Sequence, residues 1–184
     1  MSATDPLGLI CLSKDEINAI VGLTGGGAGG AATGRSPQSV VGFGLLGGVI
    51  GGAAGYGSSA NTEEINSGLT VLGAVSSVFD TNATNIATSG VGALLGEYGM
   101  RWMAESLGIS KPVANVIGSS GGAAFGAGAG TFLTGPVQRG RGWVKPSVVG
   151  RTAGKAATTA AAATGTAEGV RAILEKINDC KCPK

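Results

Sequence analysis

Residues 112–134 read PVANVIGSSGGAAFGAGAGTFLT, and within them Gly118, Gly122, Gly126 and Gly130 form an unbroken row at four-residue spacing. Residues four apart lie on one face of a helix. A glycine row there is a face without side chains, along which another helix can come close. Residues 38–57 carry two such rows, Gly44, Gly48 and Gly52 beside Gly47, Gly51 and Gly55. A further row, Gly22, Gly26, Gly30 and Gly34, follows Ser13. In water these helices are costly, because each glycine loses about 1 kcal/mol of helix propensity against alanine. The eight glycines of 38–57 imply roughly 8 kcal/mol for an isolated helix, against about 5–15 kcal/mol for a whole domain. Close packing, a low-dielectric setting or a partner has to offset that.

Breaks between the rows delimit helices. Ser13 followed by Glu16 three residues later has the spacing of a capping box. Arg35-Ser36-Pro37 and Ser110-Lys111-Pro112 place proline where a helix opens, and Gly108 and Gly135-Pro136 read as stops. Residues 65–79 form a shorter apolar stretch, and 86–107 a helix in which Glu97, Arg101 and Glu105 make a charged, solvated stripe with favourable opposite pairs. The chain divides into a leader (1–13), a glycine-zipper helical region (14–134), a basic loop (135–150) and a C-terminal amphipathic helix and tail (151–184). Two stretches are candidate membrane spans, 38–57 and 112–134. At 1.5 Å per residue, 20 residues match a hydrocarbon core of about 30 Å. The expected fold is therefore all-α, built of glycine-rich helical hairpins that pack through GxxxG rows and insert in a membrane.

Composition narrows function. Glycine supplies 36 of 184 residues, alanine 27, and aromatics only eight. So little large apolar side chain does not suit an ordinary enzyme core. There is no histidine, the commonest general base. The glycine run 25–30 is not followed by the Lys-Ser or Lys-Thr that a phosphate loop needs. A net charge of +2 is too weak for a general nucleic-acid binder. Cys11, Cys180 and Cys182 are an odd set with no structural zinc spacing. No catalytic residue, metal, cofactor or nucleic acid is expected. Glu63, Glu64 and Asp80 could ring the mouth of an assembled pore; solvated caps are the plainer reading.

At the rows Gly22/Gly26/Gly30/Gly34, Gly44/Gly48/Gly52 and Gly118/Gly122/Gly126/Gly130, the sequence resembles the small glycine-zipper, pore-forming antibacterial effectors of the bacterial type VI secretion system. The resemblance covers residues 14–134. It implies carriage in the hexameric tube protein Hcp, secretion without a signal peptide, and insertion in the inner membrane of a target cell. An ion-conducting pore that dissipates membrane potential, a homo-oligomer and a cognate immunity protein would follow. The C-terminal third matches no zipper pattern, and the resemblance leaves it for loading or immunity recognition. Two other readings share the same sequence physics: a phage virion protein forming a membrane conduit for DNA ejection, and a soluble glycine-rich helical structural protein.

Overall fold

The computed structural model describes residues 12–33, 37–57, 62–78, 83–134 and 144–178. They form six helices: α1 Lys14–Thr33, α2 Pro37–Gly57, α3 Thr62–Val78, α4 Ala83–Ser106, α5 Lys111–Thr134 and α6 Pro146–Asn178. Gly34, Asp80 and the three cysteines lie outside the described residues, as do residues 135–143 of the basic loop.

Local chemistry sets the helix ends. The Ser13 N–H donates to Glu16 Oε2 (2.7 Å) while the Glu16 N–H donates to Ser13 Oγ (3.2 Å), closing the capping box. Pro37 and Pro146 stand at the first helical positions of α2 and α6. α4 ends at Gly108, whose φ of +76° glycine adopts freely. Around it Ile109 N–H bonds the Ala104 carbonyl and Gly108 N–H the Glu105 carbonyl, which satisfies two otherwise open acceptors. α6 begins inside the segment read as a basic loop and runs for 33 residues.

The helices stack in sequence across the molecule. α2 lies on α1, α1 on α6 and α3, those two on α5, and α5 on α4, which also touches α3. The first seam joins α1 and α2 antiparallel. A Cβ added at Gly47 would overlap the Gly26 carbonyl, and Gly48 and Gly52 face Leu23. Gly22 and Gly30 are buried along the same helix. Gly51 and Gly55 are on α2, but their surroundings lie outside the description. On its other side α1 turns Gly25 and Gly29 to α6, where an added Cβ would stand 2.9 and 2.8 Å from the Cβ atoms of Ala167 and Ala163.

α6 is the centre of the bundle. Ala156, Ala160, Ala163 and Ala167 are buried, spaced 4, 3 and 4, which keeps them on one face. They meet Gly25 and Gly29 of α1 and Gly73 of α3. The core has two clusters along this face. One holds Ala74, Val78, Ala93, Ala123, Ala127, Ala156 and Ala160, with Ile86 against it. The other holds Ile17, Val21, Ile65, Leu69, Ala163 and Ala167. The C-terminal third, which matches no zipper pattern, is what Gly25, Gly29 and Gly73 pack on.

One part of the expected fold is overturned. The chain is all-α, a bundle of six helices, but among the described residues no helix is long and apolar enough to cross a membrane. α2 and α5 have the length for the proposed spans 38–57 and 112–134. Eight of 21 residues of α2 are glycine, which adds almost nothing to transfer into hydrocarbon. α5 adds Asn115, Ser119 and Thr131, all buried among its neighbours. The two expected spans therefore have no counterpart among the described helices.

Candidate functional site

The α4–α5 pair decides which side chains face outward. On α5 the row Gly118, Gly122, Gly126 and Gly130 forms a groove. On α4 the residues Asn85, Ser89, Ala93, Glu97 and Arg101 form a matching ridge at the same four-residue spacing. Gly130 meets Asn85 and Ser89, Gly126 meets Ser89 and Ala93, Gly122 meets Ala93 and Glu97, and Gly118 meets Glu97 and Arg101. Gly92 and Gly96 add closeness from the α4 side, standing over Gly126 and Gly122. Only a face of short side chains, or of long ones that lie along the seam, fits so near a neighbouring backbone.

α4 is consequently turned inside out. Glu97 and Arg101 are 2% and 6% exposed, not the solvated stripe their spacing suggests. The opposite face carries Val91, Leu95, Tyr98 and Trp102 at spacings of 4, 3 and 4, all exposed, with Leu95, Tyr98 and Trp102 each at 69%. On the flank of the seam away from Tyr98 and Trp102, α5 adds exposed apolar groups of its own. Phe125 covers Gly96 of α4, Met100 covers Gly121 of α5, and Val113, Ile117 and Phe132 are exposed on the same helix. Of the four charged residues in 83–134, two are in the seam, leaving Glu105 and Lys111 at one end. Single exposed apolar residues are ordinary on protein surfaces, but a contiguous face of them marks a contact site.

Beneath this face, one end of the bundle is tied by polar groups from five helices. Asn66 of α3 and Asn115 of α5 each donate an amide N–H to Glu168 Oε1 of α6, at 3.0 and 2.7 Å. The hydroxyls of Thr70 and Ser119 are hydrogen-bonded (3.0 Å), and Ser119 bonds in turn to Thr164 of α6. Arg171 Nη2 donates to Asn18 Oδ1 of α1 at 3.3 Å. Ser67 Oγ donates to Glu97 Oε1 (3.3 Å), 4.0 Å from which stands Arg101 Nη1. The Arg101 guanidinium lies 5.0 Å from the centre of the Tyr98 ring, so the buried pair also props the aromatic of the outer face. These groups bond one another across helix seams, which fixes the register of faces that have few side chains to interlock. Their chemistry is positional: Glu168 is committed to two amides. Among the described residues no three His, Cys, Asp or Glu side chains are grouped to hold a metal.

Glu63 and Glu64 open α3, their side chains outside the description, and Asp80 lies outside it altogether. Sequence reasoning missed the α4 face and the α6 alanine face. The signals were present, as the apolar spacing 91, 95, 98, 102 and the alanine spacing 156, 160, 163, 167.

No family model, curated protein or solved structure matches the chain. The resemblance to type VI pore-forming effectors is thus supported by none of these comparisons. Gly34 aside, which lies outside the described residues, the rows that carried it are turned onto other helices of the same bundle. With no described helix able to cross a bilayer, the pore, the loss of membrane potential and residence in a target cell's inner membrane are withdrawn. The pore-mouth role of Glu63, Glu64 and Asp80 goes with them. The phage conduit needs a membrane-crossing element too and meets the same objection. The glycine-rich helical structural protein is the reading that agrees with the architecture.

Proposed function

We infer that the chain is a structural contact protein: a six-helix body, held in register by its buried polar layer, whose α4–α5 hairpin is a protein-contact face and which has no catalytic role. The observation that carries this is the inversion of α4. A helix that keeps Glu97 and Arg101 inside and aligns Val91, Leu95, Tyr98 and Trp102 outside exposes the residue types that dominate protein–protein contacts. Tyr, Trp and Met are enriched at such interfaces and charges are depleted from their centres. The close glycine and alanine seams supply the second requirement, a body whose contact face keeps its shape.

The test is photo-crosslinking from position 102 in the producing cell, with a photoreactive phenylalanine in place of Trp102. The expected result is a covalent adduct with protein, at one discrete mass, that disappears when the reporter is moved to the solvent side of α6 at Arg151. Absence of any protein adduct at position 102 would refute the reading.

A further inference from the structure

The geometry points to a disulfide between Cys11 and Cys180 that fastens the start of α1 to the end of α6. It is independent of the contact-face reading. The three cysteines lie outside the described residues; what places two of them together is the described residues beside them in the chain.

Those neighbours are bonded to each other. The Leu12 N–H donates to Asn178 Oδ1, and Asn178 Nδ2 donates to the Leu12 carbonyl, both at 3.1 Å. The two residues are 166 apart in sequence. A side-chain amide that pairs with both backbone groups of one residue is a two-point clasp, which fixes direction as well as position. Leu12 also packs against the second core cluster, as Val170 and Leu174 of α6 do. Immediately after it, the capping box of Ser13 and Glu16 fixes the entry into α1. Cys11 is the first residue outside the clasp on one side, and Cys180 the second on the other.

The distances suit a bridge. With bonds of this length, the Leu12 and Asn178 Cα atoms are at most about 8 Å apart. One further link moves the chain about 3.8 Å, and two links at most about 7 Å. A disulfide needs Cα atoms about 4.4–6.8 Å apart, which is within that reach. Cys182 is four links beyond Asn178 and is held about half as closely, so Cys180 is the partner. In the unfolded chain all six helices separate the two thiols, and closing so long a loop carries an entropy cost that grows with its length. In the folded chain the clasp has already closed it. The bridge should therefore form on the order of 100-fold more readily in the folded state.

The oxidant is a disulfide, either a small molecule or the oxidised pair of a dithiol oxidoreductase. The Cys11 thiolate attacks one of its sulfurs, which breaks the oxidant's S–S bond and releases a first thiolate. The Cys180 thiolate then attacks the Cys11 sulfur of the mixed disulfide, which forms the bridge and releases the second. The two cysteines together give up two protons and two electrons, and the oxidant leaves as two thiols. Cys182 keeps its proton.

The experiment equilibrates the full chain in buffers of glutathione and glutathione disulfide, alkylates the remaining thiols with N-ethylmaleimide, and reads intact mass and crosslinked peptides. The expected result is one alkylated thiol and a peptide pair joining Cys11 to Cys180. The equilibrium constant for the bridge should be on the order of 100-fold higher in native buffer than in concentrated urea. Oxidation should raise Tm on the order of 10 °C; that rise should vanish in Cys11→Ser and persist in Cys182→Ser. Asn178→Ala, checked for native circular dichroism, removes the clasp and should lower the native constant on the order of ten-fold, leaving the urea value unchanged. Three alkylated thiols in the oxidising buffer would overturn the proposal, as would a bridge that joins Cys180 or Cys11 to Cys182. A native constant no higher than that in urea does the same without needing any variant to fold. A folded Asn178→Ala chain with an unchanged constant overturns the clasp as its basis. Zinc held on the three thiols, with bridging only after chelation, overturns it in favour of a thiolate metal site.

Discussion

Replacing Gly122 with alanine tests the α4–α5 seam directly. A Cβ at this position would overlap three atoms of α4, the Glu97 nitrogen, the Ala93 carbonyl oxygen and the Glu97 Cα. All three are backbone, so no side chain can swing aside. The helices must separate, and the whole seam from Gly118 to Gly130 separates with them. Overpacking of a tight core costs about 1–3 kcal/mol, occasionally more, and backbone-on-backbone overlap belongs at the top of that range. Alanine returns about 1 kcal/mol of helix propensity. The net expectation is a loss of about 2 kcal/mol, or about 4–8 °C in Tm for a chain of this size. The control is the same substitution at Gly154 or Gly165 of α6, where nothing lies within 4 Å. Propensity acts alone there, and each variant should gain about 1 kcal/mol. Urea unfolding followed by circular dichroism measures both, and the sign change between the sites is the result that matters. A double variant, Gly122→Ala/Gly126→Ala, should cost less than the sum of the singles, because one separation relieves both overlaps. If Gly122→Ala were as stabilising as Gly154→Ala, the two helices would not meet along this row.

Three further expectations follow from named contacts. Glu97→Ala should destabilise by about 3 kcal/mol in urea unfolding, because it leaves the Arg101 charge buried without its ion-pair partner; Glu97→Leu/Arg101→Met should recover most of that. Thr159 is fully buried and its hydroxyl has no hydrogen-bond partner among the described residues, so Thr159→Val should raise stability by about 1 kcal/mol. The Glu16 carboxyl is held below its ordinary value of 4.5, chiefly by the Ser13 backbone N–H and then by the Ser13 hydroxyl. A depressed carboxyl contributes stability above its unfolded value and loses it as pH falls through the folded one. The first turn of α1 should therefore fray on acidification below the ordinary carboxylate range, as amide exchange at Glu16 will report, and Glu16→Gln should abolish that pH dependence.

The sequence exposes contact distances more readily than the identity of what is in contact. Gly118 to Gly130 says that something approaches one side of α5 closely, and the same row would serve a helix in lipid or a helix in the same bundle. The structure supplies Asn85 to Arg101 as the neighbour. That ridge was legible as a row at four-residue spacing, yet its charged members drew attention to Glu97, Arg101 and Glu105 as a solvated stripe. What decides between the two faces of α4 is the separation from α5, a tertiary quantity. At Gly122 there is no space for Leu95 or Trp102, whereas Ala93 and the backbone of Glu97 fit. The capping box at Ser13 needed no such knowledge, because both partners are within three residues. The α6 alanines were misjudged for a related reason. Alanine is a good helix former in any setting, so its spacing of 4, 3 and 4 carries weight only beside the glycines of α1 and α3 that it meets.

The inversion of α4 has two parts, and only one follows from the close seams. Helices that approach through glycine and alanine leave no space between them for large side chains, so leucine, tyrosine and tryptophan are excluded from those seams whatever else the protein does. The small contacts also bury little apolar area per residue, which leaves Thr70, Ser119, Thr164 and the Glu168 amide pairs to set register by hydrogen bonding. Nothing in that argument requires the excluded groups to exist. α6 shows a mixed alternative, with Arg151, Glu175 and Lys176 exposed beside Ile173 and Ile177. α4 instead keeps Val91, Leu95, Tyr98 and Trp102 on one line, all exposed. A surface free to be polar that is apolar along about three turns of helix carries an unfavourable hydration term of roughly 1.5–3 kcal/mol for each large side chain left in water. Burial against another protein removes that term.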